Sequence, residues 1–118
     1  RMTDEAKWSD NPYSSPEKCG LEIVDSLDAG GSYEFDMIVV WRVLADGRLY
    51  YGQDSGCSCP EPFEDVSRLE DLTPITQRTF ADFARAVWEW NPDSSGAEWP
   101  KRQALIEKTL IALQGGKA

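Results

Sequence analysis

A run of β-branched and aromatic residues that ends at a turn is the feature that most constrains this fold. Residues 37–44 read MIVVWRVL, which puts apolar side chains on both faces of an extended chain. Such runs are typical of a strand that is covered on both sides. Asp46-Gly47 follows, and glycine accepts the positive φ that a tight hairpin turn requires. The pattern therefore predicts a central strand that turns back at Asp46-Gly47 into a second strand, residues 49–53.

The predicted sheet lies within residues 20–72 and contains about three antiparallel strands. Apolar residues between Leu21 and Leu27 indicate a short first strand ahead of the central one. Short loops join the successive strands, so we expect an antiparallel meander. Residues 66–72 are a short connector, either a further edge strand or one helical turn.

Two helices are predicted after the sheet, over residues 74–90 and 100–114. Thr73-Pro74 is a typical helix start, with threonine as the N-cap and proline at the first helical position. Gly115-Gly116 is a typical helix stop. Both stretches carry apolar residues at helical spacing, which favours a helical hairpin packed on one face of the sheet. The predicted fold class is therefore α+β.

The chain length of 118 residues and the hydrophobic content of 41% fit one compact domain. The polar stretch 1–19 carries turn signals and no sustained period, so we interpret it as an N-terminal arm. Trp8 and Tyr13 are the residues expected to hold this arm against the domain, which comprises residues 20–118.

The net charge of −9 lies entirely in the first half of the chain. Residues 1–65 carry fourteen acidic and five basic side chains, whereas residues 66–118 carry seven of each. Without a basic cluster, direct nucleic-acid binding is not expected. The longest apolar run, residues 37–41, is far below the roughly 20 residues of a membrane-spanning helix. No membrane contact is expected. The acidic half is suited to association with a basic protein surface or to imitation of a nucleic acid, and a role in solubility alone stays open as the alternative.

The segment 54–65, DSGCSCPEPFED, places two cysteines one residue apart between a glycine and two prolines. Structural zinc sites use four Cys or His ligands, with about two to four residues between paired cysteines. This chain has three cysteines and no histidine, so we expect no metal and no cofactor. A metal-binding or redox site of Cys19, Cys57 and Cys59 stays open as the alternative.

Catalytic chemistry is not indicated elsewhere in the sequence. A nucleophilic cysteine or serine needs a nearby base, and no histidine can supply one. Acidic pairs such as Glu61 and Glu64 are more typical of exposed carboxylates than of hydrolytic sites. The sequence contains no phosphate-binding glycine loop and no dinucleotide fingerprint. We therefore predict that the protein is not an enzyme.

The same segment is predicted to form a rigid loop that another protein recognises. Gly56 permits left-handed backbone, the prolines fix φ, and Phe63 is expected to hold the exit of the loop in the core. Rigid loops lose little entropy on binding. A purely structural corner stays open as the alternative. The candidate partner-binding residues are those of this loop and three tryptophans near the predicted interhelical connection: Asp54, Ser55, Glu61, Phe63, Glu64, Asp65, Trp88, Trp90 and Trp99.

Residues 33–73 contain the motif Asp-Ser-Gly-Cys-Ser-Cys-Pro-x-Pro-Phe-Glu, preceded by Asp46-Gly47-Arg48 and followed by Leu69-Glu70-Asp71-Leu72-Thr73. In this stretch the chain resembles a family of small uncharacterised proteins from tailed phages of actinobacteria. The resemblance implies a phage-encoded protein that is made in the cytoplasm of the infected bacterial host, with reduced cysteines. It carries over no catalytic residues and no mechanism.

This context makes a non-enzymatic interaction module the leading hypothesis, because small phage proteins without catalytic motifs often bind and redirect a host protein. The partner is then a host protein, contacted through the acidic, rigid surface. Two alternatives remain: a small cysteine-based metal-binding or redox domain, and a structural or assembly component of the phage particle.

Overall fold

The computed structural model describes residues 7–30, 33–57, 61–90 and 99–115. Within this part of the chain, four strands form one antiparallel sheet in chain order: β1 (Leu21–Asp28), β2 (Glu34–Val43), β3 (Leu49–Cys57) and β4 (Thr73–Ile75). Two helices follow, α1 (Phe80–Glu89) and α2 (Trp99–Gly115). The predicted α+β fold is confirmed, with four strands in the sheet rather than about three.

The first helix begins later than predicted, because Thr73-Pro74 belongs to β4. Pro74 lies opposite Tyr50 of β3, and proline is tolerated on an edge strand since it removes no bond from the sheet interior. A turn follows in which Thr76 N–H donates to Thr79 Oγ1 at 2.9 Å. The helix then starts at Phe80. The Thr-Pro pair was therefore wrong as a helix start: it opens an edge strand here.

The turn between β2 and β3 uses the predicted glycine but is longer than a two-residue hairpin. Val43 N–H donates to the carbonyl of Arg48 at 2.8 Å, which leaves residues 44–47 in the turn. Gly47 has φ 80°, the left-handed conformation expected of glycine in this position. The carboxylate of Asp46 accepts the Arg48 N–H at 3.0 Å and lies 2.7 Å from the Arg48 guanidinium.

One face of the sheet, called here the helix face, packs against α1 and α2. Alternate residues of β2, including Ile38 and Val40, point to this side and are fully buried. The helices contribute Phe83, Val87 and Leu105 to the same core. The predicted position of the helical hairpin on one face of the sheet is confirmed.

The opposite face, called here the loop face, is covered by irregular segments. The intervening residues of β2, among them Val39 and Trp41, point to this side and are also fully buried. Residues 8–19 and 61–72 lie over them, and Trp8 of the first segment packs against this core. The indole N–H of Trp41 donates to the carbonyl of Pro12 at 2.9 Å. The central strand is thus enclosed between two unlike layers.

Candidate functional site

The motif segment is closed by one side chain, that of Asp54 near the end of β3. Its Oδ2 atom accepts the backbone N–H of Phe63 at 2.6 Å, and its Oδ1 atom accepts the N–H of Ser55 at 3.0 Å. A carboxylate that accepts two backbone N–H groups forms strong, charge-assisted bonds. Residues 58–60 lie outside the described part of the chain. Asp54 therefore joins the two sides of the loop.

Phe63 holds the exit of this loop in the core of the loop face. Its side chain is 1% exposed, and its ring meets that of Trp41 edge-on at 5.1 Å between centroids. Its φ of 64° is an uncommon value for a bulky residue. Gly52 leaves room for this ring, because a Cβ atom there would lie 3.2 Å from Phe63 Cε1 and 2.9 Å from Leu72 Cδ2. Phe63 is thus a core residue, and a partner cannot reach it in this state.

Residues 61–71, called here the acidic segment, are also held by the N-terminal arm. The amide of Asn11 donates to the carbonyl of Pro62 at 3.1 Å and to Glu61 Oε1 at 3.3 Å. The N–H of Trp8 donates to the carbonyl of Ser67 at 2.7 Å. Together with Asp54, these contacts hold the acidic segment at its start and near its middle. The sequence indicated a turn at Asn11-Pro12, but it did not indicate the contacts of Asn11 with Glu61 and Pro62.

The acidic segment carries five carboxylates, all on exposed residues: Glu61, Glu64, Asp65, Glu70 and Asp71. Arg68 is the one basic residue in the same stretch, so the segment has a net charge of −4. Asp71 also accepts the backbone N–H of Ser67 at 2.9 Å, which orders the turn before Leu69–Asp71. The predicted contact residues Glu61, Glu64 and Asp65 therefore lie together on one surface, with their carboxylates facing solvent.

The predicted tryptophans belong to a different part of the surface, at the ends of the helices. Trp90 is buried, and its indole N–H donates to Asp36 Oδ1 at 3.0 Å. Trp88 and Trp99 are 38% and 40% exposed, with their ring centroids 5.0 Å apart. These residues are on the helix side of the sheet, whereas the acidic segment covers the loop face. The structure therefore divides the predicted site residues into two groups.

A buried arginine, Arg102, organises the tryptophan group. Its Nη1 atom donates to the carbonyls of Val87 at 2.8 Å, Trp88 at 3.3 Å and Trp90 at 2.5 Å. Its guanidinium lies over the rings of Trp90 and Trp99, at 5.0 and 4.8 Å from their centroids. Arg102 thus satisfies the last carbonyls of α1. Its spacing of three residues from Leu105 is the sequence signal that places it on the buried stripe of α2.

The three cysteines do not fit a single site. Cys19 precedes β1 next to Gly20, whose carbonyl accepts the N–H of Leu44, at the turn end of β2. Cys57 pairs with Glu34 at the other end of β2, which is about 30 Å away along the strand. Cys59 lies outside the described residues. The alternative of a site built from Cys19, Cys57 and Cys59 is therefore corrected for Cys19, because it is too far from Cys57.

The two described thiols also differ in environment. Cys19 is half-buried and donates to the carbonyl of Asp10 at 3.4 Å, whereas Cys57 is exposed. Burial, followed by the negative charges of Asp10 and Glu17, raises the pKa of the Cys19 thiol. A raised pKa lowers the fraction of reactive thiolate. Cys19 is thus poorly suited to thiol chemistry.

Comparison with known proteins identifies one family. The sequence model of the domain of unknown function DUF7574 matches residues 10–114. No curated protein and no solved structure matches the chain significantly. Neither α1 nor α2, the helices within the described residues, is long and apolar enough to cross a membrane.

Proposed function

This chain belongs to the family of the domain of unknown function DUF7574, and we propose that it is a non-enzymatic module that binds and modulates another protein. The resemblance of residues 33–73 to proteins of actinobacterial phages supports a phage origin. The partner is then a protein of the bacterial host, bound in the host cytoplasm. The acidic segment is the contact surface, and its carboxylates meet basic side chains of the partner.

The proposal rests mainly on one observation: the negatively charged acidic segment is held in place by several contacts with the rest of the domain. The acidic segment is held by Phe63 in the core, by the Asp54 carboxylate, and by Asn11 of the arm. A surface that is ordered before binding loses little conformational entropy when the complex forms. Its net charge steers an oppositely charged partner and accelerates association.

Burial and hydrogen bonding support different roles for the residues of the predicted set. Ser55, Glu61, Glu64 and Asp65 are exposed and available for direct contact. Asp54 and Phe63 act by holding the loop, because one is engaged in backbone hydrogen bonds and the other is buried. Of the tryptophans, Trp88 and Trp99 form a second exposed group, and Trp90 supports it from the core.

Affinity capture from a lysate of the bacterial host tests the proposal. The wild-type chain is compared with a variant in which the three predicted contact carboxylates are neutralised, Glu61→Gln, Glu64→Gln and Asp65→Asn. The matched control neutralises three exposed carboxylates on the helices, Asp82→Asn, Glu89→Gln and Glu107→Gln. We expect one specific protein to be recovered by the wild type and by the control but not by the first variant.

Two results would contradict the proposal. One is the recovery of no specific protein by the wild type. The other is equal recovery by both charge variants, which would mean that the acidic segment is not the contact surface. A double variant, Cys57→Ser with Cys59→Ser, separates the thiol-based alternative, because an interaction through carboxylates survives the loss of both thiols.

A further inference from the structure

The edge of β3 is longer than the strand that covers it. β4 pairs with Leu49–Tyr51 alone, whereas β3 continues for six more residues to Cys57. Within the described ranges, no strand pairs with the outer side of residues 52–57. An exposed strand edge carries a row of backbone donors and acceptors that can pair with another chain.

The strand pairing fixes which backbone groups face outwards on this edge. The N–H of Val43 donates to the carbonyl of Arg48, so alternate residues of β3 counted from Arg48 face β2. Gln53, Ser55 and Cys57 then direct their backbone groups away from the sheet. The N–H of Ser55 is already bonded to Asp54 Oδ1 at 3.0 Å. The N–H groups that a further strand would engage are those of Gln53 and Cys57.

An open slot of about 410 Å³ lies beside this edge. The helix layer bounds it on one side and the acidic segment bounds it on the other. It lies beside Gln53 and is also lined by Thr73, the residue at which β4 begins. The residues that line it include Gly52 and Gln53 of β3, Phe63, Val66 and Asp71 of the acidic segment, and Ala86 of α1.

The negative charge around the slot favours a positively charged peptide segment as its ligand. The acidic segment has a net charge of −4, and Asp71 of this segment is one of the residues that line the slot. A second copy of this chain, with its own net charge of −9, would be repelled. An extended segment with lysine or arginine on alternate positions can pair its backbone with the outward backbone groups of β3. Its cationic side chains can then meet the carboxylates of the acidic segment.

We infer that the β3 edge from Gln53 to Cys57 binds an extended, basic segment of a protein partner as an additional strand. This inference rests on the proposed function and deepens it, because it specifies the conformation and the charge of what is bound. The backbone of the partner pairs with β3, and its cationic side chains meet the acidic segment. Binding by strand addition draws affinity from main-chain hydrogen bonds and specificity from the alternate side chains.

A selection of random twelve-residue peptides on the full chain tests the inference, followed by affinity measurement with the recovered peptides. Gln53→Pro removes an outward N–H without removing a bond between β2 and β3, and Gln53→Ala is the control that keeps this N–H. We expect recovered peptides with basic residues on alternate positions. Their dissociation constants should rise about tenfold with Gln53→Pro, the effect of one lost hydrogen bond, and stay within about threefold with Gln53→Ala.

Amide hydrogen exchange distinguishes strand addition from a general change in stability. With peptide bound, the amides of Gln53 and Cys57 should become protected, while those of Gly52 and Asp54, already within the sheet, should change little. Circular dichroism and thermal unfolding establish that Gln53→Pro is folded. Should it fail to fold, the exchange pattern of the wild type decides alone.

Three results would overturn the inference: no peptide is recovered, the recovered peptides are not basic, or Gln53→Pro binds them as the wild type does. None of these touches the proposed function, because a folded host protein can bind the acidic segment without adding a strand. Loss of the host partner on neutralising Glu61, Glu64 and Asp65, with full retention on Gln53→Pro, would leave the proposed function standing and reject the strand addition.

Discussion

The two faces of the sheet bury comparable aromatic side chains by different means. On the helix face, Phe83 is placed by the regular spacing of α1. On the loop face, Phe63 is placed by a left-handed backbone and by the bond from its N–H to Asp54. A helix packs on a sheet when its apolar residues repeat with the helical period. An irregular segment lacks such a repeat, so individual hydrogen bonds must hold it in place. The motif residues therefore belong to the face whose structure depends on single contacts.

The largest expected effect compares one aromatic residue on each face. Phe63 and Phe83 are both 1% exposed, and each ring meets another aromatic ring at 5.1 Å. We expect Phe63→Ala and Phe83→Ala each to lower the free energy of unfolding by about 3–5 kcal/mol, measured by denaturant titration. A loss below about 1 kcal/mol for Phe63→Ala alone would show that the loop face is not part of the cooperative core.

Removal of the buried arginine should destabilise the helix face next most strongly. Arg102→Met keeps the length of the side chain but leaves the carbonyls of Val87 and Trp90 without this donor. The expected loss is about 2–4 kcal/mol in the same titration. Arg85→Met, at an exposed position of α1, is the control and should stay within about 0.5 kcal/mol. Equal stability of the two variants would contradict the role given to Arg102.

The Asp54 carboxylate should have a smaller effect, confined to the loop face. Asp54→Ala leaves the N–H groups of Phe63 and Ser55 without their acceptor, so we expect a loss of about 1–2 kcal/mol. Asp54→Asn keeps one acceptor oxygen and should lose about half as much. Asp65→Ala, at an exposed position of the same segment, is the matched control. If Asp54→Ala were as stable as this control, the loop would be closed by other contacts.

The smallest effect concerns the two thiols, compared in a Cys59→Ser background. Since Cys19 is half-buried and its pKa is raised, it should react with iodoacetamide at least about tenfold more slowly than exposed Cys57. Mass spectrometry of the alkylated peptides measures both rates in one sample. Equal rates would show that Cys19 becomes accessible in the folded chain.

The raised pKa of Cys19 also determines how the stability of the protein changes with pH. The folded chain binds the Cys19 proton more tightly than the unfolded chain, because the pKa is raised on folding. The protonated Cys19 thiol therefore contributes to the free energy of unfolding in full below the ordinary thiol pKa. This contribution is lost as the pH rises through the raised pKa. The stability difference between the wild type and Cys19→Ser should shrink over this alkaline range, and a growing difference would contradict the assignment.

The sequence predicted the helix face better than the loop face, for a physical reason. Phe83 and Val87 lie one helical turn apart on α1, and the apolar residues of β2 alternate with the period of a strand, so both patterns are readable locally. The hairpin glycine, Gly47, was readable because its conformation excludes most other residues.

The remaining features depend on contacts between residues that are distant in sequence. Asn11 meets Pro62 across fifty-one positions, and Trp90 meets Asp36 across fifty-four. No local pattern indicates such pairs. The short strand β4 was not predicted from the sequence for a related reason. Three residues are too few to show a strand pattern of their own, and β4 is defined by its pairing with Tyr50 and Tyr51. The sequence therefore singled out the motif residues, but not which of them are exposed and which are buried or engaged in backbone hydrogen bonds.

Recognition through the acidic segment is tested by titrating the host protein recovered in the capture experiment against the wild type and the variant with Glu61→Gln, Glu64→Gln and Asp65→Asn. We expect the dissociation constant to rise at least about tenfold with neutralisation and the wild-type affinity to weaken as salt is raised. We also expect the variant to be much less sensitive to salt than the wild type. Equal affinity and equal salt dependence of the two proteins would contradict recognition through the acidic segment.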